Sequence, residues 1–411
     1  MKILYICPDY GIPVLGKKGA AVHVREMSNA FIRAGHSLVI AAPSATRSPW
    51  EEAQHVDAEF IQFPMRENAS EVIRAIKSYT NTLNSAPSLA GEIRRIIYNE
   101  EFETRLFRRF KNSPPDFIYV RASLYSTTGV ELKESFNIPL VVEINAPLAM
   151  EQNIYRSSET SELAYAAEYK LLFNADAVLC VSQELKNYVI SLGIDDSLVH
   201  VIPNGVNPEY FNNKNGNPGL KKKLGIRQGP VLGFVGGLRP WHGVDILPSL
   251  LSNIRDKYLH VQLLIVGEGP LRTNLENQFR EKNLENNVVF SGTFPHRDIA
   301  DIIKLFDIAL APYAQIKHEF YFSPLKLFEY MACAVPIVTT RIGQIKNIIQ
   351  DNETGLLYEP DDIEGLTRHC FNILENPDKA RLLGVNAANV VKEKHTWDHS
   401  VKRVLDIVGE L

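Results

Sequence analysis

Short apolar runs that alternate with longer amphipathic stretches are the feature that most constrains the fold of this chain. The first run, residues 2–8 (KILYICP), is followed by a loop that contains three glycines. An amphipathic stretch, residues 20–35, then ends at Gly35, and a second apolar run follows at residues 37–42. The period changes from that of a buried strand to that of a helix and back. A strand–helix–strand unit of this kind is the building block of a doubly wound parallel sheet.

The same alternation continues through the chain and restarts after residues 207–225, which are rich in Asn, Gly, Pro and Lys and which we interpret as a linker. The pattern therefore predicts an α/β protein with two parallel-sheet domains of similar size. The further predicted strands are residues 116–122, 139–145, 177–182 and 199–206 before the linker, and residues 230–237, 261–270, 287–293, 308–313, 336–340 and 354–360 after it.

Charge and composition exclude several classes of function. A net charge of -4 without a basic stripe argues against a general nucleic-acid binder. The N-terminal apolar run is too short for a signal peptide, and no run approaches the length of a membrane helix, so we expect a cytoplasmic protein. The 4 cysteines show no CxxC pair and no metal-ligand spacing, and we expect buried, reduced thiols.

The segment FSPLKLFEYMACAVPIVTT, residues 322–340, predicts an anion-binding helix start. Ser323 is a suitable N-cap, and Pro324 suits the first helical position. The free N–H groups and the dipole at such an end favour a phosphate, which would also explain Lys326 in the first turn. Glu329 could then accept hydrogen bonds from two ribose hydroxyls. A capped core helix with two solvated charges is the alternative.

Two glycine turns follow predicted strands in the same half of the chain. They are residues 235–245 (VGGLRPWHGVD) and 266–271 (VGEGPL). Glycines let the backbone approach a ligand closely, and Arg binds phosphate well. Because ligands collect beyond the carboxyl ends of parallel strands, we expect these turns to meet one diphosphate-bearing ligand. The predicted contacts in them are Gly236, Gly237, Arg239, His242, Gly267 and Glu268.

With these motifs the sequence resembles the retaining glycosyltransferases of family 4, which have the GT-B fold, and in particular members that build bacterial exopolysaccharides and cell envelopes. The resemblance covers nearly the whole chain and rests on motifs in the family's order and spacing. These motifs are PNGVN at 203–207, VGEGPL, SGTFPH, DIALAPY, SPLKLFEYMACAVPIVTT and ETGLLYEPDD.

The resemblance implies two Rossmann-like domains that face a deep cleft. The acceptor-binding domain would be residues 1–207 with a crossover helix at 391–411, and the donor-binding domain residues 208–390. The family transfers a sugar from a nucleoside diphosphate donor with retention at the anomeric carbon and without a divalent metal or other cofactor. A hexose-type sugar from UDP is expected here, with GDP-mannose next, and the acceptor would be a hydroxyl of a saccharide or lipid-linked saccharide.

Residue by residue, the resemblance places Glu329 on the second Glu of the family motif, which binds ribose, and Tyr321 where the first Glu would stand. It implies that Lys326 and backbone amides near Ser323, Pro324 and Leu325 hold the phosphates. Arg239 would replace an Arg that the family commonly has at Gly237. Asn145 stands near where the family often has a His beside the reacting sugar. The expected catalytic residues are Arg239, Lys326 and Asn145.

On the acceptor side we expect Gly19, Lys18 and His23, although His23 also suits a structural role. Lysines in the loop that contains Lys18 suit a negatively charged acceptor or a solvated surface. Residues 91–112 mix apolar residues with Arg, which suits either an ordinary surface helix or peripheral contact with the inner face of an anionic membrane.

Two other functions remain open on the sequence alone. A sugar-nucleotide epimerase would use the same donor pocket without an acceptor. A catalytically silent partner subunit would bind a nucleotide sugar without turnover, and the departures at Tyr321, Gly237 and Asn145 favour it. A nicotinamide dehydrogenase is disfavoured, because the loop after the first strand lacks GxGxxG.

Overall fold

A computed structural model of the chain describes residues 1–48, 50–156, 158–212, 214, 216–217, 219–316 and 318–411. They form two compact units: Met1–Pro203 with Trp397–Leu411, and Asn204–Thr396. The predicted linker includes residues 213, 215 and 218, which lie outside the described residues. No helix among the residues described is both long enough and apolar enough to cross a membrane.

In the described part of the first unit, seven strands form one sheet in the order β3-β2-β1-β4-β5-β6-β7, and every neighbouring pair is parallel. The central strands are buried along almost their whole length, as expected when helices cover both faces of a parallel sheet. The strands are β1 Lys2–Ile6, β2 Ser37–Ala42, β3 Glu59–Gln62, β4 Phe117–Arg121, β5 Leu140–Ile144, β6 Ala177–Cys180 and β7 Val199–Val201.

The helices of the first unit connect these strands. They are α1 Gly19–Arg33, α2 Glu67–Leu83, α3 Leu89–Phe110, α4 Val130–Phe136, α5 Leu148–Arg156, α6 Ser161–Phe173 and α7 Gln183–Ser191.

In the second unit, six strands of the described chain form a parallel sheet in the order β10-β9-β8-β11-β12-β13. The strands are β8 Val231–Val235, β9 Gln262–Val266, β10 Val288–Gly292, β11 Ile308–Ala311, β12 Ile337–Thr340 and β13 Leu356–Tyr358. The helices are α8 Leu220–Lys223, α9 Leu247–Arg255, α10 Arg272–Glu281, α11 His296–Ile303, α12 Leu325–Ala332, α13 Ile345–Ile348, α14 Ile363–Glu375 and α15 Pro377–Lys394.

The order of strands reverses once in each sheet. In the first unit the reversal lies between β1 and β4, and in the second it lies between β8 and β11. The loops that leave two such strands diverge to opposite faces and open a crevice at the carboxyl ends, where open α/β sheets bind ligands. The glycine turn after β8 and the helix α12 after β11 therefore border the same crevice.

Two local features differ from the sequence prediction. Strand β3 was not predicted, because its four residues lie at the sheet edge, are exposed or half-buried, and contain no long apolar run. The final helix is divided: α15 ends at Lys394 and α16, Trp397–Glu410, belongs to the first unit. The N–H of Val206 donates to the carbonyl of His395 at 3.0 Å and Val206 pairs with Thr396, which draws that backbone out of the helix.

Candidate functional site

Two glycine turns of the second unit pack directly on each other at the crevice between β8 and β11. Gly236 and Gly267 have φ values of 147° and 138°, in the region that favours glycine. A Cβ at Gly267 would lie 2.0 Å from the Gly236 carbonyl oxygen, so no side chain fits there. The N–H of Leu238 donates to the carbonyl of Glu268 at 3.0 Å and joins the two turns. The predicted glycine contacts are thus brought together.

Lys326, in the first turn of α12, lies against this pair of turns. Its side chain is buried, and within the described part of the chain its Nζ has no hydrogen-bond partner. The ammonium lies 4.1 Å from the centre of the Phe234 ring and 5.2 Å from that of Tyr313. Burial lowers the pKa of Lys326 to about 7, although Glu329 favours the charged form. A Cβ at Gly236 would lie 2.6 Å from Nζ, so the glycine also makes room for this cation.

His242 lies beside Lys326 but does not carry the charge expected of a diphosphate ligand. A carbonyl oxygen only accepts, so the contact of 2.5 Å between Nδ1 and the Gly237 carbonyl places the proton on Nδ1. Burial and the charge of Lys326 lower the pKa of His242 to about 3. The imidazole is therefore neutral at pH 7, with an accepting Nε2. Its contact with a diphosphate stays a prediction.

Arg239 and Glu268 stand at the exposed side of the glycine turns. The Arg239 guanidinium lies 5.7 Å from the Trp241 ring, and no ion pair holds it within the described residues. It is thus available to a ligand. The Glu268 carboxylate pairs with Arg272, the first residue of α10, so the backbone of Glu268 rather than its side chain contributes to the glycine turns.

The start of α12 differs in detail from the prediction. Ser323 does not cap the helix: its Oγ accepts the N–H of Asn204 at 3.0 Å, and the Asn204 amide donates to the Ser323 carbonyl at 2.5 Å. Pro324 precedes the helix, which begins at Leu325. Asn204 comes from the PNGVN motif, so this motif fixes the backbone that leads into the predicted phosphate site.

Glu329 lies one turn beyond Lys326 and is also buried. Its Oε1 accepts a hydrogen bond from His296 Nε2 at 2.7 Å, and the His296 ring lies 5.0 Å from Phe211. The carboxylate is thus held on one side by the first residue of α11. The role of Glu329 as the ribose ligand stays a prediction. The hydrogen bonds from His296 to Glu329 and between Asn204 and Ser323 were not predicted, because neither His296 nor Asn204 is near α12 along the chain.

In the first unit, two of the predicted residues, Asn145 and His23, are linked by hydrogen bonds to the same carboxylate. Asn145 and His23 both donate to the buried Glu143, His23 from Nε2 at 2.7 Å. Tyr119 and Arg121 also donate to this carboxylate, at 2.6 and 2.7 Å. Burial alone would raise the pKa of Glu143, but His23, Arg121 and Tyr119 together lower it to about 2.

His23 also packs edge-on against Trp397, the first residue of α16, at 5.0 Å. Through these contacts His23 has a structural role, which is one of the two roles expected for it. The other acceptor-side residues are at the start of α1: Gly19 opens the helix, and the exposed Lys18 donates to the Gly11 carbonyl at 3.2 Å. The sequence could not reveal the Glu143 cluster, because its donors come from α1, β4 and the end of β5.

Comparisons with known proteins match both halves of the chain. Residues 17–210 match the model described as Glycosyltransferase Family 4, and residues 229–376 match the model described as Glycosyl transferases group 1. An uncharacterised glycosyltransferase of Methanocaldococcus jannaschii is 24% identical over 99% of this chain and 98% of its own length. Glycogen synthase of Mycobacterium tuberculosis is 24% identical over 100% of this chain and 94% of its own length.

Solved structures give the same picture of the fold. Sucrose-phosphate synthase of Thermosynechococcus elongatus has a TM-score of 0.73 at 18% identity, over 100% of this chain and 98% of its own. Anabaena HepE in complex with UDP has a TM-score of 0.72 at 18% identity, over 100% of both chains, and it has also been solved with UDP-glucose. Likeness at such identities establishes the fold, and the predicted GT-B fold of two parallel-sheet α/β units is confirmed.

Proposed function

We propose that this protein, a glycosyltransferase of the GT-B type, moves a hexose-type sugar from UDP to a hydroxyl of a saccharide or lipid-linked saccharide, with retention at the anomeric carbon. The buried Lys326 carries the proposal. An ammonium ion without a partner is costly in a protein interior, and a diphosphate would supply the missing charge.

The choice of a uridine donor is supported by HepE, which is bound to UDP and to UDP-glucose in its solved structures. GDP-mannose is the next candidate donor. Titration with both UDP and GDP separates the two donors.

In the proposed reaction the bond between the anomeric carbon and the diphosphate oxygen loosens first. Lys326 and Arg239 stabilise the charge that develops on the leaving diphosphate, which is the electrostatic contribution that preorganised cations make best. The acceptor hydroxyl attacks the same face of the sugar, and its proton passes to the leaving phosphate oxygen. No step is assigned to a metal, so we expect the rate to persist in EDTA.

Glu329 would hold the ribose through its carboxylate, which His296 keeps in place. Hydrogen bonds to a charged group contribute about 1.5–3 kcal/mol each, so Glu329→Gln should weaken UDP binding by about tenfold or more. Titration calorimetry with UDP and GDP measures this. Glu281→Gln, at an exposed position of the same unit, is the matched control.

Transfer itself is tested by following UDP-glucose or another UDP-sugar with and without saccharide acceptors, and by reading the anomeric configuration of the product by NMR. A product of inverted configuration would contradict the retaining mechanism. Turnover to a new nucleotide sugar without acceptor would favour the epimerase. Tight donor binding with neither transfer nor hydrolysis would favour the silent partner. If neither nucleotide binds, the donor site itself is misplaced.

A further inference from the structure

Helix α6 of the first unit has large apolar residues on both of its faces. Ala164, Leu171 and Leu172 are buried on the inner face. The outer face, which we call the α6 face, is exposed along the whole helix. It consists of Glu162, Leu163, Ala166, Tyr169, Lys170 and Phe173. A surface helix normally turns polar residues to water, so an apolar outer face marks a surface that binds something.

The α6 face and the end of α5 together expose enough apolar surface for an interface. Leu163, Tyr169 and Phe173 are 55%, 44% and 60% exposed, and the two rings stack with their centres 5.4 Å apart. Helix α5 packs on α6 and adds the exposed Ile154 and Tyr155. Five half-exposed side chains of roughly 200 Å² each leave about 500 Å² of apolar surface. With the polar residues between them, this approaches the roughly 800 Å² that each partner contributes to a standard interface.

Two charged residues of the α6 face are placed to pair with a second copy of the same helix. Among the described residues, neither Glu162 nor Lys170 has an ion-pair partner, and they lie about 12 Å apart along the helix, too far to pair with each other. In two antiparallel copies with a two-fold axis at Ala166, Lys170 lies opposite the partner's Glu162. The same register places Leu163 opposite the partner's Tyr169. The charges of the face are thus complementary to themselves.

An anionic membrane fits this face less well. Helices that lie on such membranes carry Lys and Arg beside their apolar face. In residues 158–174, all of which the structure describes, the exposed charged residues are Glu159, Glu162 and Lys170. The excess is acidic, so an anionic surface would be repelled and a second copy is favoured.

We propose that the α6 face is the interface of a two-fold homodimer of this chain. Ala166 lies on the axis, where its small side chain lets the two helices approach closely. Leu163, Tyr169 and Phe173 form the apolar centre, and two symmetry-related pairs of Lys170 with the partner's Glu162 fix the register. The interface lies on the first unit and requires no nucleotide, so it is independent of the proposed transfer reaction.

Sedimentation velocity of the full chain from about 1 to about 100 μM measures the dimer. Lys170→Glu places two carboxylates opposite each other, and Glu162→Lys places two ammonium groups there. Because symmetry repeats each contact, each single variant should weaken dimerisation by about tenfold or more. The double variant Glu162→Lys, Lys170→Glu exchanges the charges and should restore the dimer. Lys77→Glu, at an exposed position of α2, is the matched control and should equal wild type.

Phe173→Ser tests the apolar part of the interface and should also weaken the dimer. Leu382→Ser, at a position of the second unit that is likewise 60% exposed, should not. The proposal is overturned if wild type stays monomeric over this range, if neither charge reversal weakens the dimer, or if the double variant does not restore it. A monomer that binds phosphatidylcholine vesicles through Phe173 would also overturn it. Circular dichroism confirms that the variants, all at exposed positions, are folded.

Discussion

Glu143 in the first unit and Lys326 in the second are buried charges of opposite sign, only 4% and 7% exposed, and the protein treats them differently. Four described side chains donate hydrogen bonds to Glu143, and one of them, Arg121, is a buried cation. Lys326 is met by the faces of Phe234 and Tyr313 and by no hydrogen-bond partner in the described chain. Glu143 is hydrogen-bonded on all sides within its unit, whereas Lys326 has no hydrogen-bond partner in the described chain and its charge is favoured there by Glu329.

The two charges therefore suit different roles, Glu143 a structural one and Lys326 the binding of a ligand. A buried carboxylate with a full set of donors holds the elements that supply them, here α1, β4 and the loop after β5. A buried ammonium with aromatic faces alone keeps its hydrogen-bonding capacity for a molecule from outside. The pKa values follow the same division: that of Glu143 is lowered to about 2, in favour of its charge, and that of Lys326 to about 7, against it.

The largest expected effect is on the Glu143 cluster. Glu143→Gln removes the charge and leaves Arg121 buried without a counterion, which should destabilise the first unit by about 3–5 kcal/mol. Urea unfolding measures this. Glu134→Gln, at an exposed position on α4, is the matched control and should stay within about 0.5 kcal/mol of wild type.

The Arg121→Met, Glu143→Gln double variant sharpens this test. Removing both charges should recover part of the loss, since the cost of the single variant comes mainly from the unpaired guanidinium. A loss below about 1 kcal/mol in Glu143→Gln would show that the cluster is not a structural centre.

The fold was accessible from the sequence because its signals are local. Buried strands such as β1 and β9 are short apolar runs, and the helices between them have their own period. Where the signal is not local, prediction was incomplete. Strand β3 is an exposed edge, and the break between α15 and α16 depends on a bond from Val206 to His395, which are far apart along the chain.

In the site, too, only the features with a local sequence signal were predicted. Lys326 was predicted because a cation in the first turn of a helix is unfavourable by itself, and that is visible within a few residues of sequence. The neutral state of His242 depends on burial and on Lys326, and the support of Glu329 by His296 depends on contact between α11 and α12. Such features depend on contacts between distant parts of the chain, so they cannot be predicted until the fold is known.

Lys326→Met should change stability in the opposite direction from Glu143→Gln. In ligand-free protein the variant removes a desolvated cation, so we expect the free energy of unfolding of the second unit to rise by about 2 kcal/mol at pH 7 while UDP binding is lost. Lys222→Met, at an exposed position on α8, is the control and should change neither.

The expected pH dependence of wild-type stability agrees with a stabilising effect of Lys326→Met. The pKa of Lys326 falls from 10.5 in the unfolded chain to about 7 in the fold, so the unfolded state binds the proton first as the pH drops. Stability contributed by this group therefore decreases from about pH 10.5 to pH 7, and Lys326→Met should lack that decrease. A variant destabilised by more than about 1 kcal/mol would mean that Lys326 is already compensated in the empty protein.

The smallest effect, counted per pH unit, is on the affinity for the donor. A diphosphate beside Lys326 favours the ammonium form, so binding of a UDP-sugar above pH 7 should take up close to one proton per site. Affinity should then fall as the pH rises from about 7 to 9, by at most about tenfold, or about 1.4 kcal/mol, per pH unit. A UDP-sugar is used because its diphosphate carries no terminal phosphate group that titrates in this range.

Calorimetry at pH 8 in buffers of different ionisation enthalpy measures the proton uptake directly. Lys222→Met should show the wild-type uptake. Binding without proton uptake, and with constant affinity between pH 7 and 9, would place the diphosphate away from Lys326. Lys326 would then be a structural charge like Glu143, and its burial without a hydrogen-bond partner in the described chain would need an explanation other than diphosphate binding.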